Sequence, residues 1–510
     1  MAFDLTASGS AFLRKGKAEP RTPVRMAPTG PPPPPPIPPA PRMYLRGPPP
    51  PPPGLLHYPI IQRLHLAVAR QVDMRRGCSL LEFISCSGVV PSPYEERKRT
   101  MVVRELDKIV KDWVKRVACD QRGQYWKTTA TVLTFGSYAL GAYGPESDID
   151  AICVGPCIAS LQHHFFVVLR QMLEERPEVS DLHSIESAKV PLMRFKFNRM
   201  LVDFLYVQLP VINAAEAIHS FDPHLLAAVD GPSWRCLSGV RVNRQIIQLL
   251  PNMKKFQILL RCLKLWARRR GLHCHLLGFF AGIHLAILAA FVCSRHPNAS
   301  VNTLFSLFFD TFSHWPWPLP VNLLDEPAPW NPDQCSLMPI VMPCSPPEFC
   351  ASSITKSTFN KIKEELQRGF ALTNDVRNVD IDWPWLFAPF PYAARYEHFL
   401  RIVLSAPMAE ELRDWVGWVK SRFRNLLLKL ESLGVDCDPD PSEQTDYNIA
   451  EPNVVFLWGL IYTMDTEICM DSLKEDFMKS VINNIYGKEK CTHSDITMSI
   501  VRPPQLPKGV

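Results

Sequence analysis

The chain has 510 residues, 46% of them hydrophobic, with a formal net charge of +6. That much apolar chain excludes a single small core and calls for two or three packed domains, and the mild basic excess fits an RNA partner without requiring one. The fifteen scattered cysteines include no Cys-x-x-Cys pair, which leaves no zinc site at the usual spacing and reads as reduced thiols of an intracellular protein.

In chain order, Met1–Arg14 lacks the sustained apolar core of a secretory leader. Residues 1–56 are expected to be disordered, because the two proline runs within Pro31–Pro53 favour polyproline II and bury nothing. Such a head either docks an SH3, WW or profilin-like partner or acts as a spacer. From His57 the pattern turns globular. Val102, Leu106, Ile109, Val110, Trp113 and Val114 recur at helical spacing within Tyr94–Lys115. A short apolar run at Ala130–Leu133, strands at Ile149–Val154 and Leu201–Val207, and a helix at Ile158–Glu175 between those strands predict a compact α/β domain.

Residues 215–350 read as mostly helical, with the clearest helices at Lys254–Arg270 and Leu276–Cys293. The second run is eighteen residues long, with His284 as its one ionisable side chain besides the terminal thiol. That is marginal for a membrane span, so a buried core helix is expected and no membrane partner. Trp315–Pro347 reads as irregular loop, and the last part as α+β. It has a helix at Met408–Leu433, opened by Pro407 and closed by Gly434, and strands at Phe399–Leu404 and Val454–Tyr462.

The chemistry concentrates in one stretch. Phe135-Gly136-Ser137 precedes Asp148-Ile149-Asp150, and on a strand residues i and i+2 face the same way, so Asp148 and Asp150 project two carboxylates together. Asp203 lies inside the apolar strand Leu201–Val207, where a lone charge is costly unless paired or metal-bound. Three hard oxygen donors suit Mg²⁺ or Mn²⁺, and Gly136 with the Ser137 hydroxyl suits phosphate oxygens. Together they predict a two-metal phosphoryl-transfer site. Gln257, Arg261, Lys264 and Arg268 share a helix face that either reaches phosphate or is a solvated stripe. Trp383, Trp385, Phe387, Phe390, Tyr392 and Tyr396, upstream of Lys420, Arg422, Arg424 and Lys429, would suit single-stranded RNA, although most of these rings are expected to fill a core.

At these residues the sequence resembles a known family. FGSYALGAYGPESDIDAICVGP, ILLRCLKLWARRRGLHCHLLGFFAGIHLAIL and WVGWVKSRF are similar to the signatures of eukaryotic nuclear-type poly(A) polymerases, and the likeness runs over about residues 57 to 490. The proline-rich head and short C-terminus resemble a short plant-type member. The resemblance implies a multidomain α+β chain with a polymerase-β-like nucleotidyltransferase domain over 57–214, a helical middle domain over 215–355, an RRM-like RNA-binding domain over 356–492 and a short tail over 493–510. It implies template-independent addition of AMP from ATP to an RNA 3′ end, with two Mg²⁺ or Mn²⁺ ions on Asp148, Asp150 and Asp203. It places Phe135, Gly136, Ser137, Asp203, Lys264, His273, Gly282 and Ile283 around ATP. Candidate partners are RNA and the mRNA cleavage and polyadenylation factors.

Three positions depart from the family pattern. His273 replaces a tyrosine, Ser238 an asparagine and Ala281 a glycine. A protonated His273 would still contact phosphate, which predicts a KM for ATP that rises between about pH 6 and 8. The family default is nuclear, and the cytoplasm is the alternative because no basic tail follows residue 492. Competing functions are another RNA-tailing transferase, such as a uridylyltransferase, and a non-enzymatic RNA-binding protein.

Overall fold

The computed structural model describes residues 59–120, 127–186, 188–324, 336–374, 380–462, 469–483, 487–489 and 493–503. The proline-rich head and residues 504–510 lie outside them. The chain divides into two units, Met1–Ile61 and Gln62–Val510, and every element belongs to the second, apart from the first three residues of α1 (Pro59–Cys86).

Helix α2 (Pro93–Asp120) starts with a capping box, in which the Glu95 N–H donates to Ser92 Oγ at 3.3 Å and the Ser92 N–H donates to Glu95 Oε2 at 2.7 Å. Its apolar face, including Leu106, Val110 and Trp113, packs on a five-stranded sheet. The elements that build this layer are β1 (Thr131–Thr134), a single turn α3 (Gly136–Ala139), β2 (Ile149–Gly155), α4 (Arg170–Glu174), β3 (Val179–Ile185), β4 (Leu192–Phe197) and β5 (Met200–Gln208). Their order across the sheet is β1-β2-β5-β4-β3, with β2 and β5 parallel and the other pairs antiparallel. Both central strands are covered on both faces. Ala151, Cys153, Phe204 and Tyr206 face the α2 side, while Ile152, Val154, Leu205 and Val207 face α5 (Ala214–Ser220) and α7 (Gly231–Leu249), with the short α6 (Pro223–Ala227) between those helices.

The middle of the chain holds α8 (Met253–Arg269), α9 (Gly282–Arg295) and α10 (Val301–Ser313), then the two-residue strands β6 (Val341–Met342) and β7 (Glu348–Phe349), and α11 (Lys356–Thr373). Trp266 of α8 is fully buried edge-on to Phe308 and Phe309 of α10. Two single turns, α12 (Trp383–Leu386) and α13 (Tyr392–Arg395), lead to a second sheet of β8 (His398–Ser405), β9 (Asp436–Pro439), β10 (Asn453–Ile461) and β11 (Asp495–Val501). Its order is β11-β8-β10-β9, all antiparallel. Helices α14 (Ala409–Lys420), α15 (Phe423–Ser432) and α16 (Met470–Val481) pack on it. One hydrophobic core runs from Leu263 and Trp266 through Phe305 to Leu400, Phe456 and Trp458, so the helical middle and the second sheet are welded by shared apolar burial.

Several sequence expectations need correcting. The apolar run Leu276–Cys293 is two elements. A 3₁₀ turn at His275–Leu277 ends at Gly278, whose φ is +83°, and α9 restarts at Gly282. No helix among the described residues is long and apolar enough to cross a membrane. The helix expected over Met408–Leu433 breaks at Ser421–Arg422, where the Arg422 N–H donates to Val419 O at 2.9 Å and its guanidinium stacks on Trp418. The stretch expected as a helix over Ile158–Glu175 is π-helical at Leu161–Leu169 before α4. Of the aromatic group, Trp383, Phe387, Tyr392 and Tyr396 are buried as expected, whereas Trp385 is exposed.

Candidate active site

The sheet explains why three acidic residues distant in sequence meet. Asp150 stands opposite Asp203 in the parallel β2–β5 pair, and Asp148 precedes β2 by one residue. All three share the face of Ile152 and Leu205, where the apolar cluster of that face ends. Carboxylate oxygens of Asp148, Asp150 and Asp203 lie within 4.8 Å of one another. Burial, then the Asp203 charge, lifts the Asp148 carboxyl above its ordinary range. Burial, then the Asp148 and Asp203 charges, lifts Asp150 to about 7. The cluster therefore carries more negative charge than its surroundings neutralise, which is the donor set a hard divalent cation requires.

The loop beside it is built for close approach. The Phe135 N–H donates to Asp150 O at 3.1 Å, and Gly136 takes a φ of +62°. A Cβ at Gly136 would overlap Asp150 Oδ2, so only glycine fits between loop and carboxylate. Ser137 follows on α3, where its carbonyl accepts from the Ala142 N–H at 3.0 Å.

Two residues at this site escaped the sequence reading. Asn243 of α7 donates from Nδ2 to Gly136 O at 2.9 Å, and Gly239 one turn earlier leaves room for the Phe135 ring. Arg194 of β4 forms a two-pronged ion pair with Asp203, at 2.7 Å from Nε to Oδ1 and 2.6 Å from Nη2 to Oδ2. The signal for Arg194 was present: Leu192–Phe197 alternates, and Asn198–Arg199 is a two-residue turn with φ values of +49° and +67°. A two-residue turn fixes the register and puts Arg194 across from Asp203.

The helix-face stripe is brought to the same site. Lys264 Nζ donates to Ala142 O at 3.1 Å, and its pKa is lowered to about 8 by burial and then by Arg268, against the pull of Asp150 and Asp148. Arg268 is exposed, and a cavity of about 370 Å³ is lined by Arg261, Lys264 and Arg268 together with Tyr143 and Ser147. Arg270, by contrast, is buried away from it in a pair with Glu365.

His273 runs against one expectation. Burial, then the Arg268 and Lys264 charges, pushes its pKa down to about 4, and its Nε2 is buried with no hydrogen-bond partner. That shift favours the neutral imidazole near neutrality and lends no support to the expected rise in KM. Ser238 turns its hydroxyl back onto Arg235 O at 2.8 Å. Gly282 and Ile283 open α9 directly after Ala281, whose N–H donates to His284 Nδ1 at 3.2 Å. That helix packs on α7 and α8, and no described bond joins these two residues to the triad.

A mixed sheet that presents three clustered carboxylates beside a glycine loop defines a nucleotidyltransferase. Three family models match in sequence: the poly(A) polymerase nucleotidyltransferase domain over residues 62–250, the poly(A) polymerase central domain over 255–389 and the poly(A) polymerase predicted RNA binding domain over 391–435. The chain belongs to the poly(A) polymerase family. It is 46% identical over 440 residues to nuclear poly(A) polymerase 3 of Arabidopsis thaliana, covering 86% of each chain. It is 38% identical over 394 residues to nuclear poly(A) polymerase 1 of the same plant, covering 74% of this chain and 55% of that longer one. Among solved structures, one of the Cid1 poly(U) polymerase is 13% identical with a TM-score of 0.41, covering 62% of this chain and 99% of that one.

Proposed function

We propose that the protein is a polynucleotide adenylyltransferase that extends RNA 3′ ends with AMP from ATP, without a template. The observation that carries this reading is the carboxylate triad set against Gly136, in a chain of this family. Asp148, Asp150 and Asp203 would hold two ions, Mg²⁺ or Mn²⁺. When bound, such ions activate the attacking hydroxyl and neutralise charge on the triphosphate. The chain's own residues do the rest. Arg194 fixes the orientation of Asp203, and Asn243 fixes the loop at Gly136. Lys264 and Arg268 draw the triphosphate toward the cavity. His273, close enough to feel the Arg268 and Lys264 charges, joins Phe135, Ser137, Gly282 and Ile283 in the ATP-binding set of this reading.

RNA would enter across the second sheet's side of the chain, in keeping with the RNA-binding family model there. We assign the catalytic part to 57–214, the helical middle to 215–355 and the RNA-binding part to 356–492; the order of the three family models supports this division, with the second of them also taking in α11. The two Arabidopsis relatives are named nuclear, which supports a nuclear location, and mRNA cleavage and polyadenylation factors are the partners this reading would give the protein there. An SH3, WW or profilin-like partner for the proline-rich head belongs to the same proposal.

The test is extension of an oligo(A) primer with each of the four nucleoside triphosphates, beside Asp150→Ala. Metal-dependent extension with ATP alone, lost in the variant, is the expected result. Extension with UTP instead would make the protein a uridylyltransferase, and no extension under either metal would leave an RNA-binding protein.

A further inference from the structure

Between the glycine loop and the acidic turn lie residues 140–145, which form neither helix nor strand. Each of their six carbonyls accepts from a side chain. Leu140 O accepts from Gln257 Nε2 at 3.2 Å, Gly141 O from Arg261 Nη2 at 2.7 Å, Ala142 O from Lys264 Nζ at 3.1 Å and Tyr143 O from Arg261 Nε at 3.5 Å. Gly144 O and Pro145 O accept from Arg99 Nη2 at 3.3 and 2.7 Å. Arg99 is fully buried and also lies over the Tyr143 ring. Gly141 has a φ of +64°, and a Cβ there would run into the Gln257 amide, so this backbone lies directly against α8.

The stripe Gln257, Arg261 and Lys264 thus reads successive carbonyls of an irregular segment. Side chains of α2 and α8 do for it what a ladder of backbone bonds does for a strand. Its far end carries Asp148 and Asp150 into the site, and its near end leaves the glycine loop. Arg261 makes two of the six bonds, and the carbonyl dipoles that converge on α8 have in it a fixed charge that suits their number. Arg261 and Arg268 both line the cavity, but Arg268 is exposed there, whereas Arg261 is half-buried with its guanidinium on the carbonyls of Gly141 and Tyr143.

We propose that Arg261 is a positioning residue for nucleotidyl transfer, clamping segment 140–145 so that Asp148 and Asp150 stand in register with Asp203. This deepens the reading of the site given above and rests on it. A displacement of about 1 Å at reacting groups costs on the order of 100-fold in rate, which sets the scale of the effect.

The experiment compares full-length wild type, Arg261→Met and Arg261→Lys in three measurements. These are kcat and KM for ATP with an oligo(A) primer, amide hydrogen exchange over 140–147, and Mn²⁺ binding by electron paramagnetic resonance without nucleotide. For Arg261→Met the expected result is a kcat lower by about 100-fold with KM within about threefold. Exchange over 140–147 should accelerate while the α8–α10 core stays protected, and Mn²⁺ affinity should fall. Arg261→Lys keeps one donor and should recover most of the lost kcat. A kcat within about threefold of wild type overturns the proposal, as does a raised KM with kcat unchanged, which would make Arg261 a nucleotide contact. So does accelerated exchange throughout the chain with no local excess, which would make its role structural. If Arg261→Met does not fold, Gln257→Leu carries the test through exchange at 140–141, and unchanged exchange there overturns it. A wild type inactive with every nucleotide would sink the proposed function, and the exchange and Mn²⁺ measurements would still decide this one.

Discussion

Replacing Asp150 by Asn should abolish catalysis and, with divalent metal chelated, make the protein more stable at pH 8. The folded chain holds the Asp150 carboxyl at about 7 instead of the ordinary 3.8, first by burial and then by the Asp148 and Asp203 charges. A raised folded-state pKa contributes stability that is complete below the unfolded value and is lost as pH rises through the folded one. At about 1.4 kcal/mol per pH unit the rise corresponds to at most about 4 kcal/mol. The triad shares that repulsion and is partly open to water, so about 1–2 kcal/mol is expected from this substitution alone. The assay is calorimetric unfolding of wild type and Asp150→Asn in chelator at pH 5 and pH 8. The variant should unfold later at pH 8, by a gap that shrinks to under half at pH 5, where Asp150 is protonated in the folded chain but already ionised in the unfolded one. Saturating Mn²⁺ should reverse the order, since wild type gains a bound cation and the variant loses a ligand. A variant less stable than wild type in chelator at pH 8, or an equal gap at both pH values, would refute the reasoning.

Other consequences are testable alongside. Arg194→Met should weaken Mn²⁺ binding about 10- to 100-fold by freeing Asp203 to reorient, as read by titration calorimetry. Because the Lys264 pKa is lowered to about 8, the KM for ATP should stay flat from pH 6 to 7 and climb above pH 8 as the charge is lost; Lys264→Arg should flatten the climb. Gly136→Ala meets both a left-handed backbone and the Asp150 carboxylate, so kcat should drop by at least about 100-fold while circular dichroism shows a retained fold. Glu365→Ala strands the buried Arg270 charge and should cost about 3–5 kcal/mol in denaturant titrations.

The parts of the fold legible in the sequence were those with strong periodicity and local cues. The triad was readable because Asp148 and Asp150 alternate on one strand and Asp203 interrupts an apolar one. The α8 stripe was readable as a face, but its job was not, since its acceptors are backbone carbonyls more than a hundred residues away. The break at Gly278 was hidden because hydrophobicity continues through it, and the one at Ser421 because Val419 and Phe423 keep helical spacing across it while the backbone turns. His273 shows the limit most plainly. Its type suggested a charge near neutrality, but the burial that suppresses the charge, and then the nearby Arg268 and Lys264, are set by how α8 ends and the chain folds back. Membership of the family was legible from three short runs, whereas the shared core that joins the middle helices to the second sheet had no local signal.

The Asn198–Arg199 turn works as a gauge. Because it is two residues long, every pair across β4 and β5 is counted from it, Arg194 with Asp203 among them. Lengthening it by one residue would rotate β4 by half a pleat, sending Arg194 to the side of Met193 and Phe195 and presenting an apolar side chain to the acidic cluster. A substitution at Arg194 removes one charge, but an insertion five residues away would exchange the two faces of a whole strand. The length of that turn is thus part of the catalytic geometry, although neither of its residues touches the site.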